Sequence, residues 1–268
     1  MISLKDLYVV FNPNTPDERR ALRNINFTLE SGEFATIIGS NGAGKSTLLN
    51  VMAASIRPSS GTVVIDGEDR TNEPEFRRAR SIGRVFQDPL GGTAAEMSVE
   101  DNLAVAARKG SKRFSIAMTR ARKAQFRDQL AVLDMGLEHR MKDNVNRLSG
   151  GQRQALTLLM AVLARPSVLL LDEHTAALDP SNAEKVMELT RQFAHQYDLA
   201  VCMVTHDMAR ALSIGSRLIM MDQGEIIMDL REPDKSSLTV EGLVDRFRAL
   251  RNKTLADDRA LLSLPLGR

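Results

Sequence analysis

Apolar and polar residues alternate over Ile2 to Val10 and Asn24 to Glu30, then apolar residues run together over Glu33 to Ile38, which predicts three strands. After a glycine-rich stretch, the spacing changes to that of a helix over Lys45 to Ala54. A further strand is expected over Gly61 to Ile65, running into the turn Asp66-Gly67. A short helical stretch follows over Glu73 to Arg80 and a strand over Ser81 to Gln87. From Pro89 to about Ala164 the pattern is helical, with Phe126, Leu130 and Leu133 at helix spacing, and predicts an inserted helical lobe. Strand character returns at Val168-Leu169-Leu170-Leu171-Asp172 and again at Ala200 to Thr205. Both runs are apolar on both faces, as in central parallel strands covered by helices. Ser181 to Gln196 reads as the crossover helix between them, and Arg217 to Met221 with Glu225 to Asp229 as a hairpin turning at Asp222-Gln223-Gly224. The tail beyond Arg231 is charged and amphipathic, with Leu243, Val244, Phe247 and Leu250 on one stripe. The expectation is an α/β fold with one domain over 1–230, a helical subdomain over about 89–164 inserted in it, and a short helical tail over 231–268.

Composition narrows this picture only a little. A length of 268 residues with 43% hydrophobic content suffices for one large core or two smaller lobes. Lys plus Arg is 36 against 34 for Asp plus Glu, a formal charge of +2, so nothing points to nucleic acid as a partner. The one cysteine, Cys202, lies in an apolar run, which excludes an intrachain disulfide and predicts a buried, inert thiol. Met1-Ile2-Ser3-Leu4-Lys5-Asp6 lacks the basic start and apolar stretch of a secretory signal. The most apolar region, Ala155 to Leu171, is broken by Arg165-Pro166, short of the roughly 18 residues a membrane span needs. A cytosolic protein that does not itself cross a bilayer is expected.

The chemistry is concentrated in a few strings. In Gly39-Ser40-Asn41-Gly42-Ala43-Gly44-Lys45-Ser46, between a strand and a helix, the glycines let backbone N–H groups approach anionic oxygens at a helix N-terminus. Lys45 adds a charge for the β and γ phosphates, Ser46 a hydroxyl for Mg²⁺, and Thr47 a hydroxyl within reach of the α phosphate. Asp172 and Glu173 close an apolar strand at the edge where α/β sheets bind ligands. Consecutive side chains diverge, so Asp172 is assigned to Mg²⁺, through water, and Glu173 to activating the water that attacks the γ phosphate. His206 follows the strand Ala200 to Thr205 and should emerge at the same edge; alone, it reads as a structural or capping histidine. Ser149, before the helical run Gly150 to Ala164, can cap that helix while the Gly150-Gly151 backbone faces an anion.

The phosphate loop together with Leu148-Ser149-Gly150-Gly151-Gln152, in that order, resembles the ATP-binding subunit of ABC transporters. The resemblance covers nearly the whole chain up to about residue 230. It implies a P-loop ATPase with a mainly parallel core sheet, an N-terminal antiparallel β subdomain and an inserted α-helical subdomain. It implies ATP and Mg²⁺ as ligands, and hydrolysis of ATP to ADP and phosphate coupled to transport. His206 becomes the histidine that bonds the γ phosphate and orients the water. Gln87 matches the glutamine that contacts metal and attacking water. Phe11 matches the ring that stacks on adenine, with Tyr8 the other candidate and core packing the plain reading of either. In the family two copies meet head to tail, so that Ser149, Gly150, Gly151 and Gln152 of one chain close on the nucleotide held by Gly39 to Thr47 of the other. Asp179 matches the loop that touches across that interface, and is also placed to cap the helix starting near Ser181. The implied partners are a second copy, transmembrane permease subunits seated near Gln87 and the segment Asp88 to Met97, and a separate substrate-binding protein. The implied location is the cytoplasmic face of the plasma membrane.

Several features depart from that pattern or stand apart from it. His174 follows Asp172-Glu173 where most of the family has proline, and reads as a tolerated replacement in the turn rather than a second catalytic imidazole. The strings Asp172 to Pro180 and Gly83 to Pro89 resemble a narrower bacterial group linked to uptake of tryptophan, tyrosine or related small molecules, which implies an importer. Arg108, Lys109, Lys112, Arg113, Arg120, Arg122 and Lys123 make a basic stretch, read as a solvated face or a contact for anionic lipid head groups. The alternative to transport is a soluble ABC ATPase acting on ribosome or DNA. The short interval between Lys45 and Asp172 leaves no room for long coiled coils, and there is one cassette rather than two fused ones.

Overall fold

The computed structural model describes residues 1–108 and 119–250. Lys109, Lys112 and Arg113 of the basic stretch, and the tail beyond 250, lie outside the described residues. Strands β1 (Ile2–Phe11), β2 (Arg19–Leu29), β4 (Ser60–Ile65) and β5 (Glu68–Asp69) form an antiparallel sheet in the order β2-β1-β4-β5. The second sheet runs β10-β9-β3-β8-β7-β6, from β3 (Phe34–Gly39), β6 (Ile82–Val85), β7 (Val168–Asp172), β8 (Ala200–Val204), β9 (Arg217–Asp222) and β10 (Glu225–Arg231). Its pairings are parallel except for the closing β9–β10 hairpin.

The central strands alternate between two cores. Val168 and Leu170 of β7, with Ala200, Cys202 and Val204 of β8, face a cluster that also holds helix α1 (Lys45–Met52) and the inner face of the antiparallel sheet. Leu169, Leu171, Val201 and Met203 face the opposite cluster. Strand periodicity thus makes one apolar run serve two cores. Cys202 is fully enclosed, and burial pushes its thiol up to about 12, so the expected inert cysteine is present. Arg78, in the single turn α2 (Glu75–Arg78), is buried and donates to the carbonyls of Val51 and Met52. A cation at the C-terminal end of α1 satisfies carbonyls the helix leaves open and complements its dipole.

The insertion is less helical than its apolar pattern predicts. Its described helices are α3 (Val99–Ala106), α4 (Arg120–Ala131) and α5 (Gly150–Leu163), while the stretch between α4 and α5 holds only short 3-10 turns at Leu137–His139 and Val145–Arg147. Its apolar side chains Val99, Leu103, Phe126, Leu130, Leu137 and Val145 belong to the same cluster as Leu169, Leu171 and Met203 of the sheet. Helix α6 (Pro180–Gln196) completes that layer through Val186, Met187, Leu189 and Phe193. The chain after β10 is helical over 240–250, and of the expected stripe Leu243 is buried and Phe247 packs beside it against Ile38, Leu218 and Met220, while Val244 and Leu250 are half-buried outside that cluster. Lys235, also buried, anchors this segment by donating to the carbonyls of Ile214 and Gly215 after helix α7 (Met208–Ser213). Among the described residues no helix is long and apolar enough to cross a membrane.

Candidate functional site

Strand register brings the chemistry together. Ile37 of β3 pairs with Val204 of β8, and Val204 with Asp172 of β7. The loops leaving these three strands therefore begin at one level, at the carboxyl edge of the sheet. Gly39 to Thr47 leave β3, Glu173 leaves β7 and His206 leaves β8.

The loop between β3 and α1 wraps a cavity of about 220 Å³ lined by Asn41 to Thr47, Glu173, His206 and Arg19. Gly44 sits at φ 101, and a Cβ there would lie 2.7 Å from the Ala21 carbonyl oxygen of β2. Only glycine fits both the left-handed backbone and that close approach. Gly44 is also the N-cap of α1 and supplies no side-chain cap, so the first-turn N–H groups are left to an anion. Lys45 is 6% exposed, and its Nζ donates to the carbonyls of Gly39 (2.8 Å) and Ser40 (3.0 Å). Burial pulls its ammonium below the ordinary lysine range, against the opposing pull of Glu173 and Asp172. The loop is tied to the neighbouring strand by Ser40, whose Oγ lies 2.8 Å from Asp222 Oδ1 at the end of β9.

Glu173 has φ 47, a left-handed conformation uncommon for a residue with a side chain, and its N–H donates to the Val204 carbonyl. Its Oε1 lies 2.6 Å from His206 Nε2, on the wall of the cavity. Both side chains stand where the sequence reading puts them. Asp172 does not line the cavity. Its Oδ2 is 3.7 Å from Arg84 Nη2, and burial pushes its carboxyl above the ordinary range, with Arg84 opposing. Asp172 and the Ser46 hydroxyl are hard oxygen donors of the kind that hold Mg²⁺, so these residues fit that ion. Gln87 is exposed beyond the end of β6 and does not line the cavity. The expected strand ends at Val85, before reaching it.

Phe11, at the end of β1, is half-buried against the core cluster and does not line the cavity. Its cross-strand partner is Arg19. Tyr8, the other candidate, opens into a separate cavity with Arg20 and Arg23. Ser149 caps α5 as expected, within a capping box: its Oγ accepts from the Gln152 N–H and Gln152 Oε1 accepts from the Ser149 N–H, each at 3.2 Å. Gln152 Nε2 also donates to the Met135 carbonyl and its Oε1 accepts from Arg140, which locks the loop to the inserted lobe. Ser149 and Gly150 remain exposed, and the four residues stay off the cavity lined by Asn41 to Thr47. Asp179 caps α6, accepting from the Asn182 N–H at 3.1 Å, and its other oxygen accepts from Asn182 Nδ2. A Cβ on Gly151 would lie 2.4 Å from the Asn182 side chain, so Asn182 joins the two loops.

His174 is 2% exposed and bonded to Thr190 Oγ1 at 3.2 Å, while Thr190 itself donates to the Val186 carbonyl. The hydroxyl's one proton is thereby used, so the imidazole donates from Nε2. Burial and the nearby Arg210 pull its pKa down to about 3. It is a packed turn residue, as read from the sequence. Arg19, Arg84 and Asn182 escaped that reading. Arg84 carried a signal, a charge amid the apolar residues of a parallel strand, whereas Arg19 and Asn182 carried none without knowledge of what faces them.

A family model described as ABC transporter matches residues 22–176. The tyrosine transport ATP-binding protein of Clostridioides difficile is 42% identical over 92% of this chain and 98% of its own length. The methionine import ATP-binding protein MetN of Corynebacterium glutamicum is 34% identical over 84% of this chain and 61% of its own. Among solved structures, an ATP-binding cassette captured as a dimer in a post-hydrolysis state, with ADP and phosphate bound, superposes with a TM-score of 0.74 at 27% identity over 86% of this chain and 98% of that one. The chain therefore belongs to the ABC transporter family, as one of its ATP-binding, ATP-hydrolysing subunits.

Proposed function

We propose that this subunit powers import of small molecules such as amino acids, by closing head to tail with a second copy around ATP. The observation that carries the reading is the Glu173–His206 pair, 2.6 Å apart on the wall of the phosphate cavity. Glu173 takes a proton from the water that attacks the γ phosphate, and His206 holds Glu173 and the phosphate in line. Lys45 leaves its backbone carbonyls for the β and γ phosphates, and the α1 N-terminus receives the rest of the tail. Ser46, Asp172 and Gln87 would hold Mg²⁺, which when bound neutralises phosphate charge. Phe11 stacks on adenine.

Ser149 and Gly150 are exposed, with the half-buried Gln152 and the buried Gly151 behind them; all four lie off this chain's own cavity, so this tip is available to cap the nucleotide of a partner copy, with Asp179 beside it. Closing on ATP and reopening after hydrolysis shifts a two-state equilibrium, because the γ phosphate is the group both copies share. In this reading 1–230 is the ATPase unit, with 89–164 its helical subdomain and 231–268 a tail. The dimer sits on the cytoplasmic face of the membrane against permease subunits, which in turn receive cargo from a separate binding protein. The tyrosine transport and methionine import relatives support amino acids as cargo and import as direction.

The test is Glu173→Gln. Phosphate release should fall at least about 100-fold, the loss expected of a missing general base, while ATP still binds. With Mg-ATP the variant should run as a dimer by light scattering. A variant that stays monomeric, alone and with its permease, defeats the head-to-tail reading. Retention of full hydrolysis defeats the role of Glu173.

A further inference from the structure

We infer that Arg19 is a second side-chain cation for the nucleotide's phosphate tail, delivered to the phosphate loop from the antiparallel sheet. This rests on the nucleotide-binding reading of the cavity and adds a residue to it.

Arg19 opens β2 and lines the phosphate cavity, although it is far in sequence from the glycine loop. The placement follows from how β2 packs. The Ala21 carbonyl lies against Gly44, at the 2.7 Å separation from a would-be Cβ given above, so β2 is pressed on the loop. Alternation along the strand then puts Arg19 on the same face as Ala21, two residues further toward the loop's leading half. Its Nη2 lies 3.7 Å from where a Cβ on Gly42 would stand. Arg20, on the other face, pairs with Glu18 at 3.3 Å and lines a different cavity.

The Arg19 side chain has neither an ion pair nor a hydrogen bond among the described residues. The buried cationic side chains Lys45, Arg78 and Arg217 each have a carboxylate or carbonyl partner, whereas Arg19 stands exposed at the cavity. Charge balance in the cavity points the same way. Glu173 offsets Lys45, so apart from His206 and the helix dipole, Arg19 supplies the net positive charge that a polyphosphate requires. A guanidinium stays charged at any working pH and its planar fork matches phosphate oxygens. Through its pairing with Phe11 on β1, one cross-strand pair would span the nucleotide from base to phosphate tail.

The experiment is calorimetric titration of ATP, ADP and adenosine into the full chain, at two salt concentrations, for the unaltered protein, Arg19→Gln, Arg19→Lys and Arg20→Gln. Arg19→Gln should weaken ATP and ADP by about 5- to 20-fold, the range of a charge-assisted bond discounted for solvent exposure, and leave adenosine unchanged. Arg19→Lys should recover part of the loss, and Arg20→Gln should match the unaltered chain. The salt dependence of ATP affinity should flatten in Arg19→Gln, because a screened attraction is gone. If Arg19→Gln and Arg20→Gln bind ATP alike with the same salt dependence, Arg19 is a solvated surface arginine and the inference is overturned. If the unaltered chain fails to bind ATP, the nucleotide-binding reading fails with it.

Discussion

His174 gives a prediction that can be worked from the structure. Its imidazole is buried, neutral, and donates from Nε2 to Thr190, with a pKa pulled from 6.5 down to about 3. The unfolded chain binds a proton there below 6.5 and the folded chain does not, so acid favours unfolding. Stability from this group is fully present above pH 6.5 and is lost as pH falls from there toward 3, at about 1.4 kcal/mol per pH unit. At about pH 5 the loss is about 2 kcal/mol. His174→Gln removes the titration but keeps an N–H donor. At neutral pH it should cost about 1 kcal/mol in packing and bond geometry. Acidification should then destabilise the natural chain more than the variant, closing or reversing the gap. Urea unfolding of both chains near neutrality and near pH 5 measures the double difference, in which other titrating groups cancel. The His174 ring resonance should also hold still down to about pH 4.5. Parallel stability curves, or a ring titrating at its ordinary value, would refute the buried neutral imidazole.

Two further outcomes follow from local geometry. Gly44→Ala places a Cβ against the Ala21 carbonyl at φ 101 and should cost about 1–3 kcal/mol, with ATP affinity down at least about tenfold as the loop shifts; thermal unfolding and nucleotide titration read the two effects. Ser149→Ala removes the Oγ that accepts from Gln152 N–H and should cost about 1 kcal/mol, seen as hydrogen exchange about fivefold faster in the first turn of α5.

The phosphate loop was readable because its chemistry is local. A strand, glycines that adopt left-handed backbone and a lysine at a helix start have one common use, and the structure has Gly42 and Gly44 at positive φ. The buried strands β7 and β8 were readable because residues apolar on both faces have few other places to sit. The insertion was over-read as helix because apolar spacing alone does not distinguish a helix from 3-10 turns packed on a neighbour's core. The apolar pattern carries the expected strand to Gln87, but β6 stops at Val85, where its pairing with Leu171 of β7 ends.

By itself the sequence determined which residues are candidates for the chemistry: the glycine backbone, Lys45, the Asp172-Glu173 pair and the Ser149 cap are singled out by residue type and spacing within a few positions. Only the tertiary structure decided which of them meet. Glu173 reaches His206 because Asp172 and Val204 share a register, and His174 is neutral because α6 closes over it. Arg84 finds Asp172 across β6 and β7, and Arg19 reaches the phosphate loop because β2 is pressed against Gly44. Such meetings depend on contacts between residues far apart in the chain. A linear pattern encodes periodicity and backbone freedom, but not the partner that each face will find.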